Sequence, residues 1–128
     1  MDNKTTISQI RKWCRKVRSE RDWHPSAKDL AISLSLEVSE LLEHFQWGSS
    51  EKIEERIKKD KDKKEEIEME IGDIINYLCE VADRLDIDMT DSLKRKLKKV
   101  EEKYPVDKLK KHGSKFYFAQ KKKYREKN

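Results

Sequence analysis

Two acidic pairs on helical segments constrain the fold of this chain more than any other feature. In each pair, two carboxylates are three positions apart within a segment whose apolar residues recur at helical spacing: Glu37 with Glu40, and Glu70 with Asp73. Side chains at this separation lie one turn apart on the same helix face. At about 100° per residue, both pairs border the apolar stripe of their helix. The pattern therefore predicts two helices that bring four carboxylates to the edge of a core.

The two apolar stripes form the predicted core. The first comprises Leu30, Leu34, Val38, Leu41, Leu42 and Phe45, and the second comprises Ile67, Ile71, Ile74, Ile75, Leu78 and Val81. Ionised carboxylates beside such a core lose hydration, which is costly unless a positive charge compensates them. Mg²⁺ suits this role because it prefers hard oxygen ligands and keeps sites for water and phosphates. The alternative is that the acids are solvated helix charges, since 45% of the residues are charged.

The composition favours one all-α domain. A chain of 128 residues fits a single domain, and three Gly and two Pro are few for a fold rich in β-turns. The periodicity predicts helices at 6–21, 27–46, 50–60, 64–85 and 90–103, with Thr6 and Gln9 as one capping pair and Ser26 and Asp29 as another. We expect a bundle of about four to five helices, and a bundle this small often hides part of its apolar surface in an oligomer.

The charge distribution gives weak support for nucleic-acid binding. The net charge is +5, but 31 basic and 26 acidic residues are mostly intermixed. Basic residues concentrate only after Pro105, where they alternate with the aromatic residues Phe116, Tyr117, Phe118 and Tyr124. Such a segment can bind phosphates and stack bases, but a solvated tail whose aromatics pack on the bundle is the favoured interpretation. We therefore expect a domain at 1–107 and a basic aromatic tail at 108–128.

The cysteines and the termini indicate a reduced, non-membrane environment. Cys14 and Cys79 lie in helical patterns without CxxC spacing or a neighbouring His, so we interpret them as small apolar core residues and not as a disulfide or a zinc site. The N-terminus is polar, and no apolar run approaches the length of a membrane span. A cytoplasmic protein with no membrane partner is expected.

Three further side chains are candidates for substrate contact. Trp23 lies in a predicted loop before the first acidic helix, and Trp47 lies at the end of that helix. Either indole could stack on a nucleobase, although packing at the core or its rim is the commoner role of such residues. Lys96 lies beside Leu93 and Val100 on its helix, so it points either into a site or, by snorkelling, into solvent.

Several strings of residues in order resemble one known family. They are Glu20-Arg21-Asp22-Trp23, Lys28-Asp29-Leu30-Ala31, the run 36–47 (LEVSELLEHFQW), the run 70–78 (EIGDIINYL), Ile87-Asp88, Lys96 and Lys103-Tyr104-Pro105-Val106. Together they resemble the MazG-like all-α nucleotide pyrophosphohydrolases, especially the dCTP pyrophosphatase branch. The resemblance covers roughly residues 7 to 115. The ordered combination is far more specific than either acidic pair alone.

The resemblance implies a fold, an activity and a set of site residues. The family fold is a helical bundle that assembles as dimers or tetramers, with the site near a subunit interface. Its activity is hydrolysis of a nucleoside triphosphate to monophosphate and pyrophosphate with Mg²⁺, for which Mn²⁺ could substitute, in nucleotide pool control or house-cleaning. By position, Glu37, Glu40, Glu70 and Asp73 would hold the metal, Trp23 and Trp47 would line a base pocket, and Asn76, Tyr77 and Lys96 would contact the substrate.

The chain departs from the family pattern near the expected base pocket. The Phe-His-x-Pro that usually follows the tryptophan is reduced to His24-Pro25, and an Asn expected four residues after Lys96 is Val100. These changes leave the acidic site intact and the base preference open. The role of Glu37 is also open, because a carboxylate beside the apolar stripe could orient or deprotonate water instead of binding metal.

Two other functions are compatible with parts of the sequence. A di-iron carboxylate bundle also uses inward acids, but it needs Glu-x-x-His steps, and neither Glu40 nor Glu43 has a His three residues later. A non-enzymatic helical protein that binds nucleic acid through the basic tail is the main alternative to the hydrolase.

Overall fold

The computed structural model describes residues 2–127, and all regular structure in that range is helical. The elements are α1 (Ile7–Ser19), α2 (Ala27–Glu43), α3 (Ser50–Lys59), α4 (Lys61–Arg84), α5 (Met89–Lys103) and α6 (Val106–Arg125). The predicted all-α class is confirmed. The sixth helix lies where the sequence predicted a tail. No helix within 2–127 combines the length and the apolar character needed to cross a bilayer.

Short polar side chains cap the N-termini of α1, α2 and α4. The Thr6 hydroxyl accepts from the Gln9 N–H at 3.2 Å while Gln9 Oε1 accepts from the Thr6 N–H at 2.7 Å, so the predicted capping box is confirmed. Ser26 likewise accepts from the Asp29 N–H at 3.1 Å. Asp60 accepts from the Lys63 N–H at 3.0 Å. This cap starts α4 at Lys61, three residues before the predicted position, and shortens the charged connector.

Aspartates in the left-handed region end α1 and α4. Asp22 has φ 53° and Asp86 has φ 52°. At the first, the Trp23 N–H reaches back to the Arg18 carbonyl at 3.2 Å, and at the second the Ile87 N–H reaches the Ala82 carbonyl at 2.9 Å. These six-to-one bonds are the Schellman arrangement that usually carries Gly at the left-handed position. The first of them fixes where Trp23 leaves the helix.

The first of two compact units extends to Ile87 and contains the predicted acidic helices. Its main helix pair is α2 with α4, and α1 and α3 also pack on α4. The buried apolar residues are Leu30, Ile53, Ile67, Cys79 and Ala82. Burial and the neighbouring Cys14 raise the pKa of the Cys79 thiol to about 11. Both cysteines are free thiols, with Cys79 buried and Cys14 half-buried.

Each predicted apolar stripe is only half covered within this unit. Leu30 and Ile67 are buried, and Leu34, Leu41, Ile74 and Val81 are half-buried. The other members of the stripes are exposed: Val38, Leu42 and Phe45 on α2, and Ile71, Ile75 and Leu78 on α4. The predicted stripes therefore form the core of the single chain only in part, and their exposed members are the surface that the expected oligomer would cover.

The second unit begins at Asp88 and contains α5 and α6. Tyr104 and Tyr117 stack with their ring centroids 5.0 Å apart, and Lys103 lies over the rings of Tyr104 and Tyr124 at 5.1 and 4.8 Å. Gly113 interrupts the helical backbone of α6 with φ 55°, so the helix is kinked there. The aromatic residues of the predicted tail thus pack within this unit.

Candidate metal centre and the adjoining cavity

Three of the four predicted metal ligands converge in the structure. Glu37 on α2 and Glu70 and Asp73 on α4 each present a carboxylate oxygen, and these oxygens lie within 4.8 Å of one another. Glu37 and Glu70 are half-buried, whereas Asp73 is exposed. Glu40 is exposed and does not belong to this closest set. The α2–α4 packing therefore brings the two acidic pairs together, as their spacing predicted.

The electrostatics of the cluster are unfavourable without a cation. Burial raises the pKa of Glu37 above its ordinary value, and the charges of Glu40, Asp73 and Glu70 raise it further. Within residues 2–127, no Lys, Arg or His forms an ion pair with any of these four acids. Their mutual repulsion is therefore uncompensated by the protein, which is the condition under which a bound cation stabilises a site.

The donor set fits a hard divalent cation. All the converging donors are carboxylate oxygens, and no Cys or His lies among them. Mg²⁺ and Mn²⁺ prefer such oxygen sites, whereas Zn²⁺ usually takes nitrogen and sulfur ligands in closed structural sites. The exposure of Asp73 leaves one side of the cluster open to water and to a phosphate group.

A cavity of about 500 Å³ begins about one helical turn from the cluster along α2 and α4. Trp23, Asn76 and Tyr77, three of the predicted substrate-binding residues, line it together. Asn76 and Tyr77 follow Asp73 by one turn of α4, and Ser33, also in the wall, precedes Glu37 by one turn of α2. The cavity therefore lies along the same helix pair as the acids, with aromatic and polar groups in its wall.

The other two predicted substrate-binding residues lie elsewhere in the described chain. Trp47 is 78% exposed in the segment after α2 and does not line this cavity. Lys96 belongs to the second unit, where it lines a groove of about 540 Å³ with basic and tyrosine side chains. Their proposed contacts with substrate stay predictions.

Two buried charged residues of the cavity wall were missed by the sequence reasoning. Arg18 and Glu80 are each only 8% exposed, and Arg18 Nε lies 3.2 Å from Glu80 Oε1. A signal existed for both. Arg18 follows Cys14 by one turn on the inner face of α1, and Glu80 follows Asp73 by seven positions, which returns to the same face of a helix. Charged residues at such inner positions are rare unless paired.

The helical fold and its acidic cluster define a class of protein, and comparison with models of protein families identifies that class. The model of the MazG-like family matches residues 32–117, a range that contains both acidic pairs, all of α5 and the first half of α6. The chain belongs to the MazG-like family. The family that the motif strings predicted is thus confirmed.

Individual relatives are more specific. The chain is 29% identical over 103 residues to dCTP pyrophosphatase 1 of Rattus norvegicus and of Mus musculus, which covers 79% of this chain. It spans only 60% of the length of those relatives. Its fold is similar to the crystal structure of a pyrophosphatase from Archaeoglobus fulgidus, with a TM-score of 0.71 and 38% identity over 77% of this chain and 92% of that one. These comparisons agree with the predicted dCTP pyrophosphatase-like branch.

Proposed function

We propose that this protein hydrolyses a nucleoside triphosphate, with a divalent cation, to nucleoside monophosphate and pyrophosphate. The observation that carries the proposal is the convergence of Glu37, Glu70 and Asp73 beside a cavity with an aromatic wall. The names of the relatives, dCTP pyrophosphatase 1 and a pyrophosphatase, support the same reaction class. Control of the nucleotide pool or removal of unwanted nucleotides is the corresponding role, and the cytoplasmic location stays a prediction.

The metal site comprises Glu37, Glu40, Glu70 and Asp73, with Mg²⁺ as the expected ion. Glu40 joins the set because its charge already acts on Glu37 and because its side chain is exposed and free to rotate toward the cluster. When bound, Mg²⁺ compensates the charge of the phosphate oxygens and increases the acidity of a coordinated water. Mn²⁺ also prefers oxygen ligands and should therefore substitute for Mg²⁺.

Glu37 has the properties of a group that also handles a proton. Its pKa is raised by burial and by the three neighbouring acids when no cation is bound. A bound Mg²⁺ would lower it again, so the role of Glu37 as general base rests on its position and not on this shift. It is the α2 member of the acidic cluster and borders the apolar stripe of that helix, where it can hold the attacking water. Glu70 and Asp73 then serve as ligands alone.

The substrate extends from the acids into the cavity. Trp23 and Tyr77 provide faces for a nucleobase and sugar, and Asn76 provides a hydrogen-bonding amide. Trp47 and Lys96 stay candidates for substrate contact, with Trp47 suited to a base and Lys96 suited to phosphates. A homodimer or homotetramer is proposed because half of each apolar stripe beside the site is exposed in the single chain.

The alternative of a nucleic-acid-binding surface in the second unit has less support. Its groove contains Lys96, Lys99, Lys103, Lys121 and Arg125, which suit phosphates. One face of each tyrosine is already occupied, because Lys103 covers Tyr104 and Tyr124, and Lys121 covers Tyr117 at 5.7 Å, which leaves Phe118 as the most exposed aromatic ring of the unit. Stacking on single strands depends on free aromatic faces.

The proposal is tested by incubating the protein and Mg²⁺ with a panel of nucleoside triphosphates and measuring monophosphate and pyrophosphate. Glu40→Gln and Asp73→Asn should each lower kcat/KM by about 100-fold or more, because each removes a negative ligand from the metal. Glu68→Gln is the matched control, since Glu68 is exposed on α4 and pairs only with Lys64 at 3.7 Å. EDTA should abolish turnover, and excess Mg²⁺ or Mn²⁺ should restore it. Absence of pyrophosphate release from every triphosphate by the folded wild-type protein would refute the proposal.

A further inference from the structure

The cavity beside the acids has one strongly polar end, formed by Arg18 and Glu80. Arg18 Nε lies 3.2 Å from Glu80 Oε1, and Arg18 Nη2 donates to Asp83 Oδ2 at 2.7 Å. Both side chains are 90% buried, and both belong to the cavity wall that also contains Trp23, Asn76 and Tyr77. A charged pair at this depth in a binding cavity is available to a ligand and largely shielded from water.

The hydrogen bonds of the pair are incomplete. Arg18 Nη1 is buried and has no partner among the described residues. An unsatisfied buried donor is unfavourable, and the penalty is larger for a charged group. Only Oε1 of Glu80 is paired with Arg18, so the other carboxylate oxygen retains acceptor capacity. The wall at this end of the cavity thus contains one unused donor on Arg18, which a small rotation of the guanidinium would turn toward a ligand, and one acceptor on Glu80.

The distance along α4 places this end where a nucleobase would lie. Glu80 follows Asp73 by seven residues, which at 1.5 Å per residue corresponds to about 10 Å along the helix on the same face. Asn76 and Tyr77 lie between them. If the phosphates lie at the acids, the sugar lies beside Asn76 and Tyr77, and the base reaches Arg18 and Glu80.

We propose that Arg18 and Glu80 recognise the hydrogen-bonding edge of the base, and that they select bases with an exocyclic amino group beside an unprotonated ring nitrogen, as in cytosine and adenine. This inference rests on the proposed function and assigns its substrate class. The free oxygen of Glu80 accepts from the amino group, and Arg18 Nη1 donates to the ring nitrogen.

Bases with a carbonyl group in place of the amino group exchange donor and acceptor at both contacts. In uracil and hypoxanthine a carbonyl oxygen replaces the amino group, so two acceptors meet at Glu80. The neighbouring ring nitrogen carries a proton, so two donors meet at Arg18. A site that hydrogen-bonds a substrate through buried polar groups rejects an analogue that leaves them unpaired. The related dCTP pyrophosphatases are named for a cytosine nucleotide, and cytosine has the favoured edge.

The test compares binding of dCMP and dUMP by calorimetry, because these expected products differ only in this edge and bind without turnover. The wild-type protein should bind dCMP at least about 10-fold more tightly than dUMP. Glu80→Gln replaces the acceptor with an amide that can present either a donor or an acceptor, so the preference should fall to within about 3-fold. The dAMP and dIMP pair should behave in the same way.

Arg15→Gln is the matched control. Arg15 also binds Asp83 but does not line this cavity, so the variant weakens the same charge network and should leave the dCMP preference unchanged. Equal binding of the two nucleotides by the wild-type protein, or no binding of either, overturns the inference without any variant. An unchanged preference in folded Glu80→Gln also overturns it.

Triphosphate hydrolysis in the same preparation separates this inference from the proposed function. Pyrophosphate release without a preference for amino bases refutes the proposed role of Arg18 and Glu80 but leaves the hydrolase standing. A preference for dCMP in binding without any pyrophosphate release refutes the hydrolase and leaves the recognition of the base standing.

Discussion

Asp83 is the residue on which α1 depends for its attachment to α4. Arg11 Nε donates to it at 2.8 Å, Arg15 Nη2 at 2.8 Å and Arg18 Nη2 at 2.7 Å. Burial raises the pKa of Asp83, but the hydrogen bonds and charges of Arg15 and Arg11 outweigh it, so the net pKa is below the ordinary value. The carboxylate is therefore more stable in the folded chain than in the unfolded one.

This shift predicts a specific loss of stability in acid. A depressed folded pKa gives stability that is complete above the unfolded value of about 3.9 and is lost as the pH falls through the folded value. Asp83→Asn should destabilise the protein by about 3 kcal/mol at pH 7, because the arginines lose their partner. The difference from wild type should shrink as the pH decreases from about 5 to 3. Urea unfolding across this range measures both effects.

Asp91→Asn controls for the loss of an ordinary surface carboxylate. Asp91 pairs with Arg95 at 2.7 Å, but its side chain is 61% exposed, so the substitution should cost less than about 1 kcal/mol. A difference between wild type and Asp83→Asn that stays constant down to pH 3 would contradict the argument.

At the scale of the elements, the N-terminal ends of the helices could be predicted from capping side chains. The backbone geometry of the C-terminal ends could not. N-terminal caps follow from the pairs Thr6 with Gln9 and Ser26 with Asp29, which the sequence predicted. The C-terminal turns use Asp22 and Asp86 where Gly is usual. The sequence predicted that the helices end before Asp22 and Asp86, but it did not reveal the left-handed geometry of these two residues.

Asp86 offers a direct test of that geometry. Its φ of 52° is strained for residues with a Cβ, so Asp86→Gly should be neutral or stabilising by up to about 1 kcal/mol. Asp86→Val should be destabilising by about 1–2 kcal/mol, because a β-branched residue resists the left-handed region. Thermal unfolding of the two variants provides the measurement, and equal stabilities would show that φ at this position does not matter.

At the scale of the whole molecule, the exposed residues of the two apolar stripes are expected to be covered by another copy of the chain. Val38, Leu42 and Leu78 are 49%, 58% and 44% exposed on the two helices that carry the acids. Contiguous exposed apolar residues on paired helices are typical of subunit interfaces. The proposed site is therefore adjacent to the surface at which copies of the chain would meet.

The assembly is tested with one charge on that surface. Leu42→Lys should lower the mass measured by sedimentation or light scattering, because a buried interface does not accommodate an unpaired ammonium group. Val106→Lys is the control, since Val106 is 61% exposed in the second unit and belongs to neither stripe. A monomeric wild-type protein, or an unchanged mass in folded Leu42→Lys, would contradict the proposed oligomer.

The sequence predicted the parts of the fold that depend on local patterns. Helical periodicity and capping pairs located five helices, and the position of the acids at the stripe edge predicted their convergence. It did not reveal the Arg18–Glu80 pair, because a charged residue is assigned to solvent unless its partner on another helix is known. It did not predict α6 either, because charged residues and Gly113 dilute the apolar signal of that segment.

The arginines that attach α1 have a further consequence for the register of that helix. Arg11, Arg15 and Arg18 repeat at about one-turn intervals, so a shift of α1 by one turn would still place arginines opposite Asp83. Charge alone therefore does not set the axial position of α1. Cys14 on α1 neighbours Cys79 on α4, and a shift of α1 by one turn would separate the two thiols. Uncharged packing of this kind, together with the arginines, therefore determines where Trp23 lies at the end of α1.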